Sequence, residues 1–272
     1  MTLPTRSSIH SRAVLVVALL VVGACRRGTA VAVPAPAPAG TDITSGADVV
    51  RAMHDRYATT WYRSLTFNQR TTISLPSGQL VQTWWEAGKI PGRLRIDTDS
   101  VGSSGVIYAR DSAFSFAGGR LTRADTGQND LLILGFDVYG QPVETSLAVL
   151  RKRGFDLSRF HRGVWQGKAT YVVGAMAGDT LSKQFWVEED RLLFVRLLES
   201  RHTASGGSRL EDIRFGNYVQ HEGGWVAEDV MMYQDGKPRL HEVYADVRVN
   251  VPLSDAVFDP RQWNTAPRWY KP

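Results

Sequence analysis

The sequence predicts an α+β domain, in which a curved antiparallel sheet of about ten strands packs against two helices. Two segments show the apolar spacing of amphipathic helices, and many short segments alternate apolar and polar residues, as half-buried strands do. Glycine, aspartate and asparagine are frequent in the short connections between these segments. Such tight turns join neighbouring antiparallel strands, so we expect a meander within one domain over residues 45–272.

The domain is predicted to open with a helix that Ser45 or Asp48 caps. Its apolar residues recur at a spacing of four and form one face, which comprises Val49, Val50, Met53, Tyr57 and Trp61. The period then changes to two over residues 65–75, which predicts the first strand. The turn Pro76-Ser77-Gly78 leads into the second strand.

A second helix is predicted over residues 142–152, because Pro142 lies near its start and Gly154 just past its end. Val143, Leu147 and Leu150 form its apolar face. Strands are predicted on both sides of this helix. In order they are 79–86, 92–97, 106–109, 113–116 and 120–123, and then 168–173, 183–187, 192–198, 210–219, 225–233 and 240–249.

An antiparallel sheet of this length has an apolar face to cover, and two helices cover only part of it. We therefore expect the sheet to curve and to leave an apolar cavity on its concave face. Adjacent Trp84 and Trp85 must point to opposite faces of their strand. The candidate ligand-binding residues are large apolar side chains, for which ordinary core packing is the alternative: Phe67, Trp84, Leu94, Ile96, Phe114, Phe116, Leu147, Phe185 and Trp225.

The connection from Gly127 to Gln141 contains the apolar run Leu131-Leu132-Ile133-Leu134-Gly135-Phe136. Two interpretations are open for this run. It is either an exposed loop that contacts a membrane or ligand, or a buried turn of helix.

The N-terminus has the three parts of a secretory signal. A basic leader with Arg6 and Arg12 precedes apolar residues, and the small residues Gly23 and Ala24 follow. The apolar stretch is too short for a transmembrane helix, which needs about 20 residues. Cys25 is the only cysteine in the chain, and its place directly after the small residues resembles a bacterial lipobox, in which the thiol is acylated. An ordinary cleaved signal and a retained anchor are the alternatives.

Residues 25–44 are predicted to form a linker between this cysteine and the domain. Alternating alanine and proline favour the extended polyproline II conformation, so the linker is a semi-rigid spacer. The formal charge of the whole chain is only +5, and no basic run with interleaved aromatic residues is present. We therefore expect no nucleic-acid partner.

No sequence motif predicts catalysis, a cofactor or a metal site. The chain contains no nucleophile elbow, phosphate-binding loop, H-E-x-x-H or C-x-x-C motif. The pairs His221-Glu222 and His241-Glu242 do not have zinc-ligand spacing and are interpreted as surface pairs. A catalytic site dispersed along the chain would leave no such motif, and it remains an alternative.

Three segments together form a recognisable pattern. The first is the amphipathic helix that leads into a Phe-bearing strand, residues 47–73. The second is Lys89-Ile90-Pro91-Gly92-Arg93-Leu94-Arg95-Ile96, and the third is the tail from Val249 to Phe258. These segments resemble the LolA/LolB-like superfamily of bacterial outer-membrane lipoprotein carriers and lipid-binding lipoproteins. The resemblance implies an unclosed β-barrel, or half-barrel, with helices as a lid over an apolar cavity.

The resemblance also implies a function without covalent chemistry or a cofactor. We expect a membrane-anchored periplasmic lipoprotein that binds lipid or lipoprotein acyl chains. The alternative is a sensory or protein-interaction module of the MucB/RseB type, with a protein partner in the envelope. Arg26 rather than aspartate follows Cys25. In proteins that resemble this one, the absence of aspartate there favours the outer membrane.

Overall fold

The computed structural model describes residues 42–99, 101–203 and 206–270. The predicted signal peptide (1–24), Cys25 and the linker up to residue 41 lie outside these residues, and their roles stay predictions. The described residues belong to one compact unit, Pro34–Pro272. Within them, no helix has both the length and the hydropathy that a membrane crossing requires.

In the described part of the chain, thirteen strands form one antiparallel sheet whose first and last strands pair at its centre. These strands are β1 (Ser64–Leu75) and β13 (Lys237–Val249). The others are β2 (Gly78–Lys89), β3 (Arg93–Asp97), β4 (Gly105–Ala109), β5 (Ser112–Ala117), β6 (Arg120–Thr126), β7 (Phe160–Trp165), β8 (Lys168–Val173), β9 (Gln184–Glu188), β10 (Phe194–His202), β11 (Ser208–His221) and β12 (Gly224–Gln234).

Two meanders extend from this central pair, one through β2 to β6 and the other through β12 to β7. The outermost strands β6 and β7 do not pair with each other, so the sheet is an unclosed barrel. This confirms the predicted α+β half-barrel. Leaving the barrel open keeps one side of the concave face free for the helices.

Three α-helices are present among the described residues: α1 (Gly46–Tyr57), α2 (Asp130–Gly135) and α3 (Val143–Lys152). Ser45 caps α1 by accepting a hydrogen bond from the backbone N–H of Asp48. Helix α3 begins directly after Pro142, and Gly154 follows it at a φ of 87°, as predicted. Short 3₁₀ helices add Asp137–Tyr139, Asp255–Phe258 and Pro260–Gln262.

The hydrophobic core lies between helices α1 and α3 and the concave face of the second meander. Val50 and Met53 of α1 and Leu150 of α3 are fully buried in it. Trp61 stacks on Tyr139 with ring centroids 3.9 Å apart, which joins the end of α1 to the 3₁₀ turn before α3. The helices therefore fill one half of the concave face.

Strand β7 and the three short 3₁₀ helices were not predicted from the sequence, and helix α2 was only one of two interpretations of its apolar run. Strand β7 has the polar sequence Phe160-His161-Arg162-Gly163, because it is an edge strand with little to bury. Helix α2 is short and almost wholly apolar, and so shows no amphipathic period. Leu192, placed by the sequence in β10, lies instead in the preceding turn at a φ of +53°.

The C-terminal segment crosses the convex face of β2 and β3. There the Asp97 carboxylate accepts hydrogen bonds from Arg95 Nε at 2.8 Å and from Tyr270 Oη at 2.6 Å, and Arg268 Nε lies 3.1 Å away. Arg95 also donates to the backbone carbonyls of Val257 and Trp263. Arg95 and Asp97 are fully buried. The C-terminal segment therefore covers the convex face of β2 and β3 with a network of paired charges.

Candidate ligand-binding cavity

A cavity of about 500 Å³ lies on the other half of the concave face. Its floor is formed by the strands from β1 to β5 and by β11, β12 and β13, and helix α2 with its flanking residues forms its cover. The lining is predominantly apolar, and many of its side chains are only half-buried. Ligand pockets of proteins have this size and character.

Strand alternation places the floor residues. In β2, Trp84 and Glu86 point into the cavity, whereas Trp85 points away and stacks on Tyr270 with centroids 4.9 Å apart. The predicted opposite orientation of the two tryptophans is confirmed. In β3, the same alternation turns Leu94 and Ile96 into the cavity and Arg95 to the convex face.

Helix α2 is held over the cavity by charges at its start. Asn129 caps it by accepting from the backbone N–H of Leu131 at 2.9 Å. Asp130 is nearly buried and is bound by Arg153 at 2.6 Å and by Lys183 at 2.5 Å. With its N-terminus fixed, the helix turns Leu131 and Phe136 toward the cavity. Of the two interpretations of this run, the structure shows the buried helix turn, and it also lines the cavity.

Two glutamates are set into this apolar lining. Glu86 of β2 is 5% exposed and Glu242 of β13 is 8% exposed. They lie on either side of β1, where Glu86 pairs with Phe67 and Glu242 pairs with Thr71. The Tyr244 hydroxyl donates to Glu242 Oε2 at 3.3 Å.

Burial controls the protonation of both carboxyls. It raises the pKa of Glu86 well above its ordinary value, and the negative charge of Glu242 raises it further. Burial raises the pKa of Glu242 to about 7, against hydrogen bonds from Gln69 and Tyr244 that lower it. The cavity thus holds at least one proton that an exposed glutamate pair would release.

The structure brings five of the predicted ligand-binding residues into the lining: Phe67, Trp84, Leu94, Ile96 and Phe116. Phe67 also stacks on Tyr244, and Phe116 stacks on Trp263, with centroids 4.2 Å and 4.1 Å apart. Their role in binding stays a prediction, but their positions border one shared space.

The other four predicted residues lie outside the lining. Phe114 of β5 pairs with Ile107 of β4, and Ile107 pairs in turn with Arg95 of β3. Phe114 therefore lies on the convex face that also carries Arg95. Leu147 of α3 and Phe185 of β9 are buried in the core between the helices and the sheet, where Phe185 contacts Phe155 edge to face. Trp225 packs at the margin of the core, 5.0 Å from the Arg191 guanidinium. We therefore leave these four out of the candidate site.

The two glutamates, Tyr108 and Tyr244 also line the cavity, although they were not predicted from the sequence. Strand parity was the available signal. Glu86 alternates with Trp84, and Glu242 alternates with Leu240 and Tyr244, so each glutamate occupies an inward, apolar position of its strand. Groups of three or more potential metal ligands do not occur among the residues that the structure describes.

No family model matches the chain, and no curated protein matches it in sequence. Among solved structures, it is similar to a putative outer membrane lipoprotein-sorting protein domain from Vibrio parahaemolyticus, with a TM-score of 0.54 and 10% identity over 80% of this chain and 98% of that one. A DUF1329 family protein from Desulfovibrio piger gives a TM-score of 0.51 and 14% identity, over 79% and 95% of the two chains.

A LolA superfamily protein from Nitrosomonas europaea gives a TM-score of 0.49 and 12% identity, over 77% and 97% of the two chains. At such low identities, these likenesses concern the fold alone. The half-barrel fold that the resemblance implied is thus shared with the first two of these structures.

Proposed function

We propose that this chain is a membrane-anchored periplasmic lipoprotein whose half-barrel cavity binds lipid or lipoprotein acyl chains. One observation supports this most strongly, the apolar cavity of about 500 Å³ that the protein's own side chains leave unfilled. Each methylene group of a chain buried there would contribute about 0.8 kcal/mol. The similar fold of the Vibrio parahaemolyticus domain, a putative outer membrane lipoprotein-sorting protein domain, agrees with such a ligand.

The proposal includes the outer-membrane anchor at Cys25 and binding without catalysis. Acylation supplies a role for the single cysteine of an exported protein. A tether also limits diffusion, so receiving or holding cargo at the membrane fits better than shuttling it. Mass spectrometry of the mature N-terminus tests the anchor, and an unmodified Cys25 would contradict it.

A cavity-blocking variant tests the ligand site. Val106 lines the cavity on β4, and Val106→Trp places a large ring in its space. We expect at least a tenfold loss of affinity for decanol, a neutral amphiphile, measured by calorimetry. Val243→Trp is the matched control, because Val243 is exposed on β13 and alternates with the inward Glu242 and Tyr244. Equal decanol binding by all three proteins would contradict the proposed site.

Mass spectrometry of lipids that copurify with the full chain gives an independent test. We expect bound lipid with the wild type and with Val243→Trp, and a marked reduction with Val106→Trp. Absence of copurified lipid, together with no decanol binding, would overturn the function.

A second candidate is an envelope protein-interaction module. The hairpin between β1 and β2 carries exposed Leu75 and Leu80 near its tip on one face and exposed Val81 on the other, and a protein partner that binds the tip would cover them. Crosslinking in intact cells from a residue at this tip, such as Gln79, would identify a partner. A single stable protein adduct without copurified lipid favours this candidate over the first.

A further inference from the structure

The cavity has an unequal distribution of charge. Glu86 and Glu242 are the acidic residues of its lining, and this lining includes no lysine, arginine or histidine. The nearby cations are engaged elsewhere. Lys183 binds Asp130 and Glu199, and Arg201 binds Glu199 and Glu211. The cavity floor therefore offers negative charge and hydrogen-bond acceptors without a matching cation.

Glu86 is the more informative of the two. Its carboxyl group lines the cavity, and no described residue gives it a hydrogen bond or an ion pair. A polar group buried to this degree normally has a partner, because removing it from water without one costs free energy. The missing partner is therefore expected to come from outside the protein.

Glu242 is arranged as an acceptor. The Tyr244 hydroxyl donates to its Oε2 atom, and the nearby Gln69 side chain also lowers its pKa. Both contacts favour the ionised carboxylate. The two carboxyls repel each other when both are ionised in a space that excludes water, so the pair retains a proton and presents a single negative charge.

We propose that the cavity selects an amphiphile with one positively charged amine beside its apolar chain, and disfavours an amphiphile with a carboxylate. This inference rests on the proposed function, because it assumes that the cavity holds an apolar chain. An ammonium group has three donors and would give the Glu86 carboxyl the hydrogen bonds that it lacks, and its positive charge would be attracted by the charge of the pair. A fatty acid would instead bring a third carboxylate to the pair.

The titratable groups that face the pair define how pH acts on it. Tyr108 of β4 and Tyr244 of β13 face Glu86, and burial raises the pKa of both tyrosines, so they stay neutral. His241 lies on the opposite face of β13 and contacts Asp229 at 3.0 Å. Glu242, with a pKa of about 7, is thus the group in this cavity whose charge changes between pH 5 and pH 8.

The test compares three ligands of equal chain length: decylammonium, decanoate and decanol. The protein is the full chain with Cys25→Ser, which cannot be acylated, and the measurement is calorimetry at pH 8. We expect decylammonium to bind at least tenfold more tightly than decanoate. In Glu86→Gln/Glu242→Gln, this ratio falls to about one, while decanol binding is retained and shows that the cavity is intact.

A matched control removes two acidic charges elsewhere. Asp125→Asn/Glu144→Gln alters exposed residues away from the lining and is expected to keep the preference for decylammonium. Decanoate binding as tight as decylammonium in the wild type would overturn the proposal, and so would a preference that survives in the double glutamate variant. If the wild-type protein did not bind decanol, the proposed function would be overturned instead.

The measurement at pH 5 completes the test. Glu242 is then neutral, so we expect the ratio of the affinities for decylammonium and decanol to fall at least threefold from its value at pH 8. Decanol is uncharged at both pH values, whereas decanoate is itself partly protonated at pH 5. A ratio that rises at pH 5 would contradict the proposal, because it would mean that the neutral carboxyls bind the amine better than the charged pair.

Discussion

Strands β2 and β3 carry buried charged residues on both faces of the sheet. These residues have bonded partners on the convex face, whereas Glu86 on the concave face has none among the described residues. On the convex face, Asp97 is fully buried and contacts Arg95, Arg268 and Tyr270. On the concave face, Glu86 is nearly as buried and has no partner among the described residues. A buried charge that is paired contributes to the stability of the fold, whereas an unpaired one that borders a cavity indicates a binding site.

The largest expected difference between the two faces is the loss of stability when each carboxylate is replaced by its amide. Asp97→Asn leaves two guanidinium groups close together without their counter-charge, and we expect it to lower the free energy of unfolding by about 3–5 kcal/mol at pH 7. Glu86→Gln removes a group that already favours its neutral form, so its effect is expected to be below about 1 kcal/mol. Urea unfolding followed by tryptophan fluorescence measures both, and equal losses would refute the distinction.

The pH dependence of stability gives the next largest effect. The folded-state pKa of Glu242 is about 7, against an ordinary value of 4.5. The folded protein therefore binds more protons than the unfolded chain between these values, and stability falls as pH rises through that window. The free energy of unfolding is therefore higher below about pH 4.5 than above about pH 7. We expect Glu242 to account for a loss of about 1–3 kcal/mol between these two values.

The variant Glu86→Gln/Glu242→Gln isolates this contribution. Asp137 has the same sign, because burial also raises its pKa to about 7, but it is present in both proteins. The difference between the two stability curves from pH 4.5 to pH 8 therefore reports the glutamate pair. Parallel curves would show that the pair titrates as exposed glutamates do.

The fold could be predicted from the sequence because its signals are local. Alternation and tight turns identified all strands except the polar edge strand β7, and apolar spacing identified α1 and α3. The short helix α2 lacked such a signal, because it is buried on several sides. Its neighbours in space come from distant parts of the chain, such as Lys183 of the β8–β9 connection.

The candidate site was only partly predictable for the same reason. Both faces of β3 to β5 are apolar in places, because the C-terminal segment covers one of them, so alternation alone did not show that Phe114 faces outward. Phe185 lies under the helices rather than in the cavity, and that depends on which half of the sheet α1 and α3 cover. The inward glutamates, by contrast, were visible in the parity of their own strands.

A matched pair of Tyr→Phe substitutions tests the comparison at the level of one hydroxyl on each face. Tyr270 donates to Asp97 at 2.6 Å, and its removal is expected to cost about 1.5 kcal/mol, as for other hydrogen bonds to a charged group. Tyr244 donates to Glu242 at 3.3 Å, and at pH 5, where Glu242 is neutral, Tyr244→Phe is expected to cost less than about 1 kcal/mol.

The two variants also differ in how pH affects them. The hydrogen bond from Tyr244 lowers the pKa of Glu242, so Tyr244→Phe raises that pKa and moves the loss of stability to higher pH. Tyr270→Phe acts on a carboxylate held by two guanidinium groups, so its cost is expected to be constant from pH 5 to pH 8. Unfolding curves across this range distinguish the two. If Tyr244→Phe gave a constant cost as large as that of Tyr270→Phe, Glu242 would be a structural carboxylate like Asp97, and the cavity would lose its free negative charge.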